Sequence, residues 1–280
     1  MKIGYTTWGM PKVPIDQGLA HLADLGFDAV EPTVIAGFTT ELDTLDPDER
    51  KRIRRLFDDY HFHMPAVAGH LSLIAREPDA HANNWDRFTR EVDLCAQWAG
   101  PEGAPALDTT LGGGVDDWIN EQPLILDRAA QAAEYGAKQD VIVALEPHVG
   151  GSLDKPDQAV WLIEQVDSPY LRVNFDISHF DIIGLDLAEA VRLLAPISAH
   201  THVKDQTGRV PDFEFLIPGE GPFDFVTYLK NMHAAGYTGA ITAEVSFQVQ
   251  RRPDYDPFAA ATMCYQTLEN AFNESGVPRD

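Results

Sequence analysis

Four stretches of this sequence end on groups that carry protons or hold metal ions. They read Leu145-Glu146-Pro147-His148, Asn174-Phe175-Asp176-Ile177-Ser178-His179, His200-Thr201-His202-Val203-Lys204-Asp205 and Ala243-Glu244-Val245-Ser246. Each closes a short apolar run, which places a carboxylate or imidazole at the end of a strand. Alone, any such residue reads equally well as a loop cap or a partner for a neighbouring side chain. Four in register carry more weight, because carboxylates gathered at one rim repel and need a cation between them. Glu146, Asp176, His202 and Glu244 make a set of three carboxylates and one imidazole. Such donors suit Mn²⁺ foremost, with Mg²⁺, Co²⁺ or Zn²⁺ as alternatives, and leave positions open for substrate oxygens. A cation that chelates a hydroxyl and the adjacent carbonyl acidifies the C–H between them and stabilises the enediolate that forms. Glu146 and Glu244 come from strands three steps apart, so they can flank a ligand as the acid and base of a proton transfer.

The rest of the chain must supply elements that bring these groups together. Apolar runs rich in β-branched residues fall at 2–8, 28–34, 64–69, 106–111, 141–146, 171–176, 197–203 and 240–245. Between them lie stretches of helical period at 15–25, 47–60, 84–99, 121–138, 156–166, 186–194, 223–235 and 257–274. Asp46-Pro47-Asp48-Glu49 is a helix start, with Asp46 as cap, and Gly26 is a helix stop. Strand–helix units of some thirty residues require parallel strands with right-handed crossovers. A doubly wound sheet is the rival, but eight units in 280 residues favour an α/β (β/α)8 TIM barrel, one domain over 1–280. In such a barrel the strands' carboxyl ends converge on one mouth.

Further residues belong to that mouth. Trp8 can wall a pocket against a sugar face or pack the barrel rim, and His70 can bind a hydroxyl or make one loop hydrogen bond. His148 points the same way as Glu146 if the strand continues. Glu31 reads as an anchor to neighbouring backbone rather than a substrate group, and Lys204 either polarises a carbonyl or neutralises the carboxylates. The long connection 205–222 contains Phe213-Glu214-Phe215-Leu216, a lid or an oligomer contact, so a homo-oligomer is one expectation. Gly112-Gly113-Gly114 is a weak anion-contact signal.

Composition sets the outer bounds. Net charge is −23, with 44% apolar and 23% charged residues, which is globular composition and a poor match to duplex nucleic acid. Two cysteines, Cys95 and Cys264, exclude a disulfide framework and a thiolate zinc site. The opening MKIGYTTWG has no long apolar core, and Val141–Leu145 is the longest compact apolar run, so neither a signal peptide nor a membrane span is expected. A soluble, cytoplasmic enzyme of a small molecule follows.

Several of these phrases, taken in order, carry a resemblance. Gly26-Phe27-Asp28-Ala29-Val30-Glu31, Leu145-Glu146-Pro147-His148, Asp176–His179, His200–Asp205, Pro218-Gly219-Glu220-Gly221 with Phe223-Asp224-Phe225, and Ala243-Glu244 together resemble the xylose-isomerase-like sugar isomerase/epimerase superfamily. The likeness implies a TIM barrel with one divalent metal on Glu146, Asp176, His202 and Glu244, and it selects His202 over His200 as the ligand. It further implies that His179 and an arginine after the seventh strand, nearest to Arg209, contact substrate. In the ketose 3-epimerase branch both glutamates are the acid/base pair, but Ser152 stands where that branch has a substrate-binding Glu. The His-x-His-x-Lys-Asp phrase resembles the inosose dehydratase branch as closely, so a metal-dependent dehydratase is the alternative. An endonuclease IV-like three-zinc site would use His70, Glu146, Asp176, His179 and His202. It lacks a fourth-strand histidine and any histidine within 205–222. A catalytically silent barrel is opposed by the intact ligand set.

Overall fold

The computed structural model describes residues 1–279. Its strands follow the alternation in the sequence: β1 (Lys2–Thr6), β2 (Ala29–Glu31), β3 (Ala66–Ser72), β4 (Ala106–Thr110), β5 (Val143–Leu145), β6 (Leu171–Asp176), β7 (Ser198–Val203), then β8 (Asp205–Arg209), β9 (Asp212–Leu216) and β10 (Ala240–Ala243). Eight of them form one parallel sheet in the order β2-β1-β10-β7-β6-β5-β4-β3. The two end strands face each other through parallel bridges, Ala29 to His63 and Thr33 to Ala68. Hydrogen bonds from Val30 N to His63 O and from Val34 N to Ala68 O, both 2.9 Å, complete the barrel.

The helices lie outside: α1 (Ile15–Leu25), α2 (Pro47–Asp59), α3 (Pro78–Gln97), α4 (Val115–Asn120), α5 (Gln122–Gln139), α6 (Pro156–Val166), α7 (Ile177–Asp181), α8 (Leu187–Leu194), α9 (Phe225–Ala234), α10 (Phe247–Gln250) and α11 (Pro257–Ser275). Local chemistry starts and stops them. The Asp46 carboxylate accepts the Asp48 and Glu49 N–H groups at the head of α2. Gly26 ends α1 at φ 99°, a left-handed conformation that a side chain would resist.

Strand parity divides the side chains between two environments. Ile3, Tyr5, Val30, Val67, Leu107, Val143, Val173, Phe175, Val203 and Ile241 are buried in the layer shared with the helices. Their neighbours face the barrel axis. At the lower end these are small, Ala66, Ala106 and Ala144. Higher up they are polar and buried: Glu31, Asp108, Asn174, Asp176, His200, His202, Thr242 and Glu244. The apolar half holds the fold together, and truncating a wholly buried ring such as Phe175 to alanine should cost about 3–5 kcal/mol.

Three expectations are corrected. The stretch 205–222 is not a bare loop, since β8 and β9 pair antiparallel from Asp205–Leu216 to Arg209–Asp212. The Asp205 carboxylate accepts the Gly219, Gly221 and Phe223 N–H groups at 3.0 Å each, which ties the returning chain to the end of β7. β1 stops at Thr6, where the threonine hydroxyl accepts the Trp8 N–H and turns the chain into a short 3-10 helix carrying Trp8. The third helix begins at Pro78, six residues before the apolar stripe, because proline fits its first turn. Among the described residues, no helix is long and apolar enough to cross a membrane.

Candidate functional site

The four acidic or imidazole groups singled out above stand at the carboxyl ends of their strands: Glu146 and Glu244 directly follow β5 and β10, Asp176 ends β6 and His202 is next to last in β7. Glu146, Asp176, His202 and Glu244 are all buried, and each places one donor atom within 4.8 Å of the others. His202 Nδ1 lies 3.1 Å from Glu244 Oε2 and 3.5 Å from Glu146 Oε1. Glu146 Oε1 is buried with no hydrogen-bond partner. Asp176 spends Oδ1 on Ser178, accepting its N–H at 2.9 Å and its hydroxyl at 2.7 Å, which turns Oδ2 toward the cluster. The same contact caps α7, so that short helix orients the carboxylate.

His202 is held from behind. Its Nε2 lies 2.8 Å from Glu31 Oε2, and His200 Nε2 lies 3.4 Å from Glu31 Oε1. A carboxylate on one ring nitrogen leaves the other, Nδ1, to face the mouth. Glu31 is therefore a partner of two imidazoles, not an anchor to neighbouring backbone as expected. Burial disfavours its charge, but His202 and His200 outweigh burial and hold its carboxyl well below the usual range. Burial likewise opposes a charged His202, yet Glu31, Glu146 and Glu244 raise it well above the ordinary imidazole value.

Lys204 completes the charge balance. It is 2% exposed, and its Nζ donates to Asp176 Oδ2 and, at 2.6 Å, to Glu244 Oε2. Burial opposes that charge, but Asp176, Glu244 and Glu146 keep the ammonium protonated. Burial also raises Glu244, yet Lys204 and His202 bring its carboxyl well below the ordinary value. Glu146 is lowered too, since His202 and His70 overcome its burial. Both glutamates are thus carboxylates at neutral pH.

Above the cluster is a cleft in two connected parts. One, of about 270 Å³, is lined by His179, Lys204, Phe215 and Glu244, and the other, of about 450 Å³, by Gly112, Gly113 and Ser152; Trp8, His70, Glu146, His148 and Phe247 line both. Trp8 packs between the His70 and Phe247 rings, 4.8 Å from each centroid. His70 Nε2 is 2.9 Å from Asp108 Oδ2, and that carboxylate overcomes burial to push the imidazole up to about 9. His179 is buried, its Nε2 3.5 Å from Asp176 Oδ2, and burial reinforced by His148 keeps it neutral. Its ring meets His148 at 4.0 Å and the edge of Phe215 at 5.2 Å. A neutral imidazole beside a protonated one gives the cleft both acceptor and donor for substrate hydroxyls.

A larger cavity, about 690 Å³, opens at the opposite face, among Lys2, Arg54, His63 and Glu102. Its cations are already paired, Lys2 with Glu102 and Arg54 with Asp58, and the His63 imidazole lies 3.0 Å from the same Glu102. The chemistry belongs to the smaller cleft.

Of the residues singled out from sequence, Glu146, Asp176, His202, Glu244, His179, His148, Lys204, His70 and Trp8 meet at this mouth. Arg209 does not. It stands at the end of β8 with its side chain 57% exposed, 3.5 Å from Asp181, and lines neither part of the cleft. Asp108, Asn174 and Phe247 were missed as site residues, and Phe215, expected in a lid or an oligomer contact, lines the cleft. Asp108 was findable, since it shares the inward parity of Ala106. The Asn174 amide, 3.2 Å from His202 Nδ1, follows from the parity of Asp176.

The family model for the xylose isomerase-like TIM barrel matches residues 19–256. A protein of Methanocaldococcus jannaschii, MJ1311, described as uncharacterized, is 34% identical over 261 residues, covering 87% of this chain and 83% of that one. A human protein named provisionally as a hydroxypyruvate isomerase is 30% identical over 129 residues, 44% of this chain and 45% of its own. Among solved structures, the IOLI protein with a binding zinc atom superposes with a TM-score of 0.82 at 16% identity, covering 98% of this chain and 99% of that one.

Proposed function

This chain belongs to the xylose isomerase-like TIM-barrel family, and from that premise we propose that it is a divalent-metal-dependent isomerase or epimerase of a small sugar or polyhydroxy ketone. One observation carries the reading: four buried donors from four strands converge within 4.8 Å beneath a cleft lined by imidazoles and aromatic rings. The donor set fits a divalent cation. Three of its members are carboxylates, Glu146 keeps a buried oxygen without a partner, and His202 turns Nδ1 inward. When bound by Glu146, Asp176, His202 and Glu244, a divalent cation would polarise a carbonyl and acidify the neighbouring C–H.

The chain's own groups account for the proton's path. Glu146 or Glu244, held ionised, takes the proton from carbon. Its return from the same carboxyl to the adjacent carbon, with the hydroxyl proton passing to the former carbonyl oxygen, gives isomerisation, and delivery from the other glutamate to the opposite face of the first carbon gives epimerisation. His70, held protonated, donates to a substrate oxygen, and the neutral His179 accepts a hydroxyl. Trp8 and Phe247 wall the cleft against an apolar sugar face and exclude water. The name of the human relative and the zinc in the IOLI structure both support this class. Ser152, small and with its Oγ unpaired, stands against 3-epimerisation of a free ketose, whose enzymes resemble this chain but use a glutamate there.

Lys204 favours a second reading. An ammonium lining the cleft can assist a leaving hydroxyl, which makes a metal-dependent dehydratase of an inosose- or dehydroshikimate-like substrate the alternative. A panel of ketoses, inososes and hydroxypyruvate with Mn²⁺, run in D₂O, separates the two. Isomerisation or epimerisation leaves a saturated product deuterated beside the carbonyl, whereas dehydration gives an absorbing enone or dione. Glu146→Gln and Glu244→Gln should each lower kcat by about 10²–10⁴-fold with the fold intact. Near-normal rates in either variant reject the acid/base assignment.

A further inference from the structure

Lys204 follows β7 directly and lies two residues beyond His202, so the strand's alternation puts an ammonium on the same face, one layer nearer the mouth. There it occupies two of the four donors. Its Nζ donates to Asp176 Oδ2 and to Glu244 Oε2, the same Glu244 oxygen that lies 3.1 Å from His202 Nδ1. A divalent cation needs ligand oxygens at about 2.0–2.2 Å. An ammonium bonded to two of those oxygens competes with such a cation for their lone pairs. The lysine has somewhere else to go. Its four-carbon stem is flexible, it lines the 270 Å³ part of the cleft, and Nζ already lies 5.4 Å from the centroid of the Phe215 ring, whose face attracts a cation.

We propose that the Lys204 ammonium and the divalent cation are alternative occupants of the Asp176–Glu244 carboxylate pair, so that metal entry drives Lys204 toward Phe215 and the substrate cleft. The proposal rests on the metal reading above and adds to it a coupling between loading and the arming of the cleft. Without metal, the lysine joins His202 in offsetting the repulsion among three buried carboxylates. With metal, the same positive charge is delivered to the space where substrate oxygens sit.

Calorimetric titration of metal-stripped protein with MnCl₂ tests this on the wild type, Lys204→Met and Lys204→Arg. Lys204→Met keeps the stem and removes the competitor, and should bind Mn²⁺ about tenfold tighter or more, while Lys204→Arg should not gain. Equal dissociation constants for wild type and Lys204→Met would overturn the proposal and leave the metal reading standing. Absence of stoichiometric Mn²⁺ binding by both would overturn the two together. Should Lys204→Met fail to fold, the wild type decides alone. Reductive methylation followed by peptide mass spectrometry should label Lys204 several-fold faster with saturating Mn²⁺ than without it. An unchanged or slower rate overturns the displacement.

Discussion

Replacing Glu31 with glutamine isolates the support behind the candidate metal ligand. Glu31 Oε2 lies 2.8 Å from His202 Nε2 and Oε1 lies 3.4 Å from His200, with carboxylate and rings essentially buried. At an effective dielectric of about 20, unit charges at that separation attract by roughly 6 kcal/mol, and the burial of both charges cancels much of it. Glutamine keeps the shape and one acceptor oxygen and loses the charge, so Glu31→Gln should destabilise the protein by about 1–3 kcal/mol. For a chain of this size that is a fall of about 2–5 °C in Tm. The effect on metal should be clearer. A carboxylate on Nε2 makes Nδ1 a better donor, and losing such support weakens metal binding by about 10–100-fold, or about 1.4–2.7 kcal/mol. The pH window follows from the shifts. Glu31 sits below its ordinary value, so its contribution is present above the unfolded carboxylate range and is lost as pH falls through the depressed folded value. His202 sits above its ordinary value, so its contribution is present below the unfolded imidazole range and is lost as pH rises through the raised folded value. The gap in Tm between wild type and variant should therefore be full between the unfolded carboxylate and imidazole values, about pH 4.3 to 6.5, and close toward both extremes. Mn²⁺ titration and thermal melts across pH measure both effects. An unchanged dissociation constant at unchanged stoichiometry would refute the orienting role of Glu31.

Other parts of the site make separate predictions. In the wild type the His70 ring protons should titrate by NMR near 9, and Asp108→Asn should lower that midpoint, because burial is then opposed only by Glu146 and Glu244. A midpoint that stays high would remove Asp108 as its cause. Asp205→Ala removes the acceptor of four backbone N–H groups, those of Gln206, Gly219, Gly221 and Phe223, and should cost about 3 kcal/mol or more, with faster hydrogen exchange across β8 and β9. Unchanged exchange would mean that the hairpin holds itself in place. Trp8→Ala opens the cleft wall and should raise KM for the substrate found by the panel more than it lowers kcat, and an unaltered KM would make Trp8 a packing residue only.

Much of the barrel was legible because its signals are local. A run of β-branched residues declares a strand, a capping aspartate before a proline declares a helix start, and neither depends on where the rest of the chain goes. Strand parity is local too, which is why Glu146, Asp176, His202 and Glu244 could be assigned to one rim before any geometry was known. The hairpin after β7 was less legible, since its strands are short, interrupted by Gly208 and mostly polar. Arg209 fell away for the same reason: a residue counted along a loop has no fixed direction until the loop's pairing sets one.

The sequence by itself determined the period of each element and the chemical character of each face, because both are settled by residues close along the chain. Only the tertiary structure decided who meets whom: Glu31 against His202 across 171 residues, Lys204 on Asp176 and Glu244, and His70 on Asp108 across 38. Those pairings depend on barrel closure and inter-strand register. Both are set by packing summed over the whole core, and no short window of sequence contains that sum.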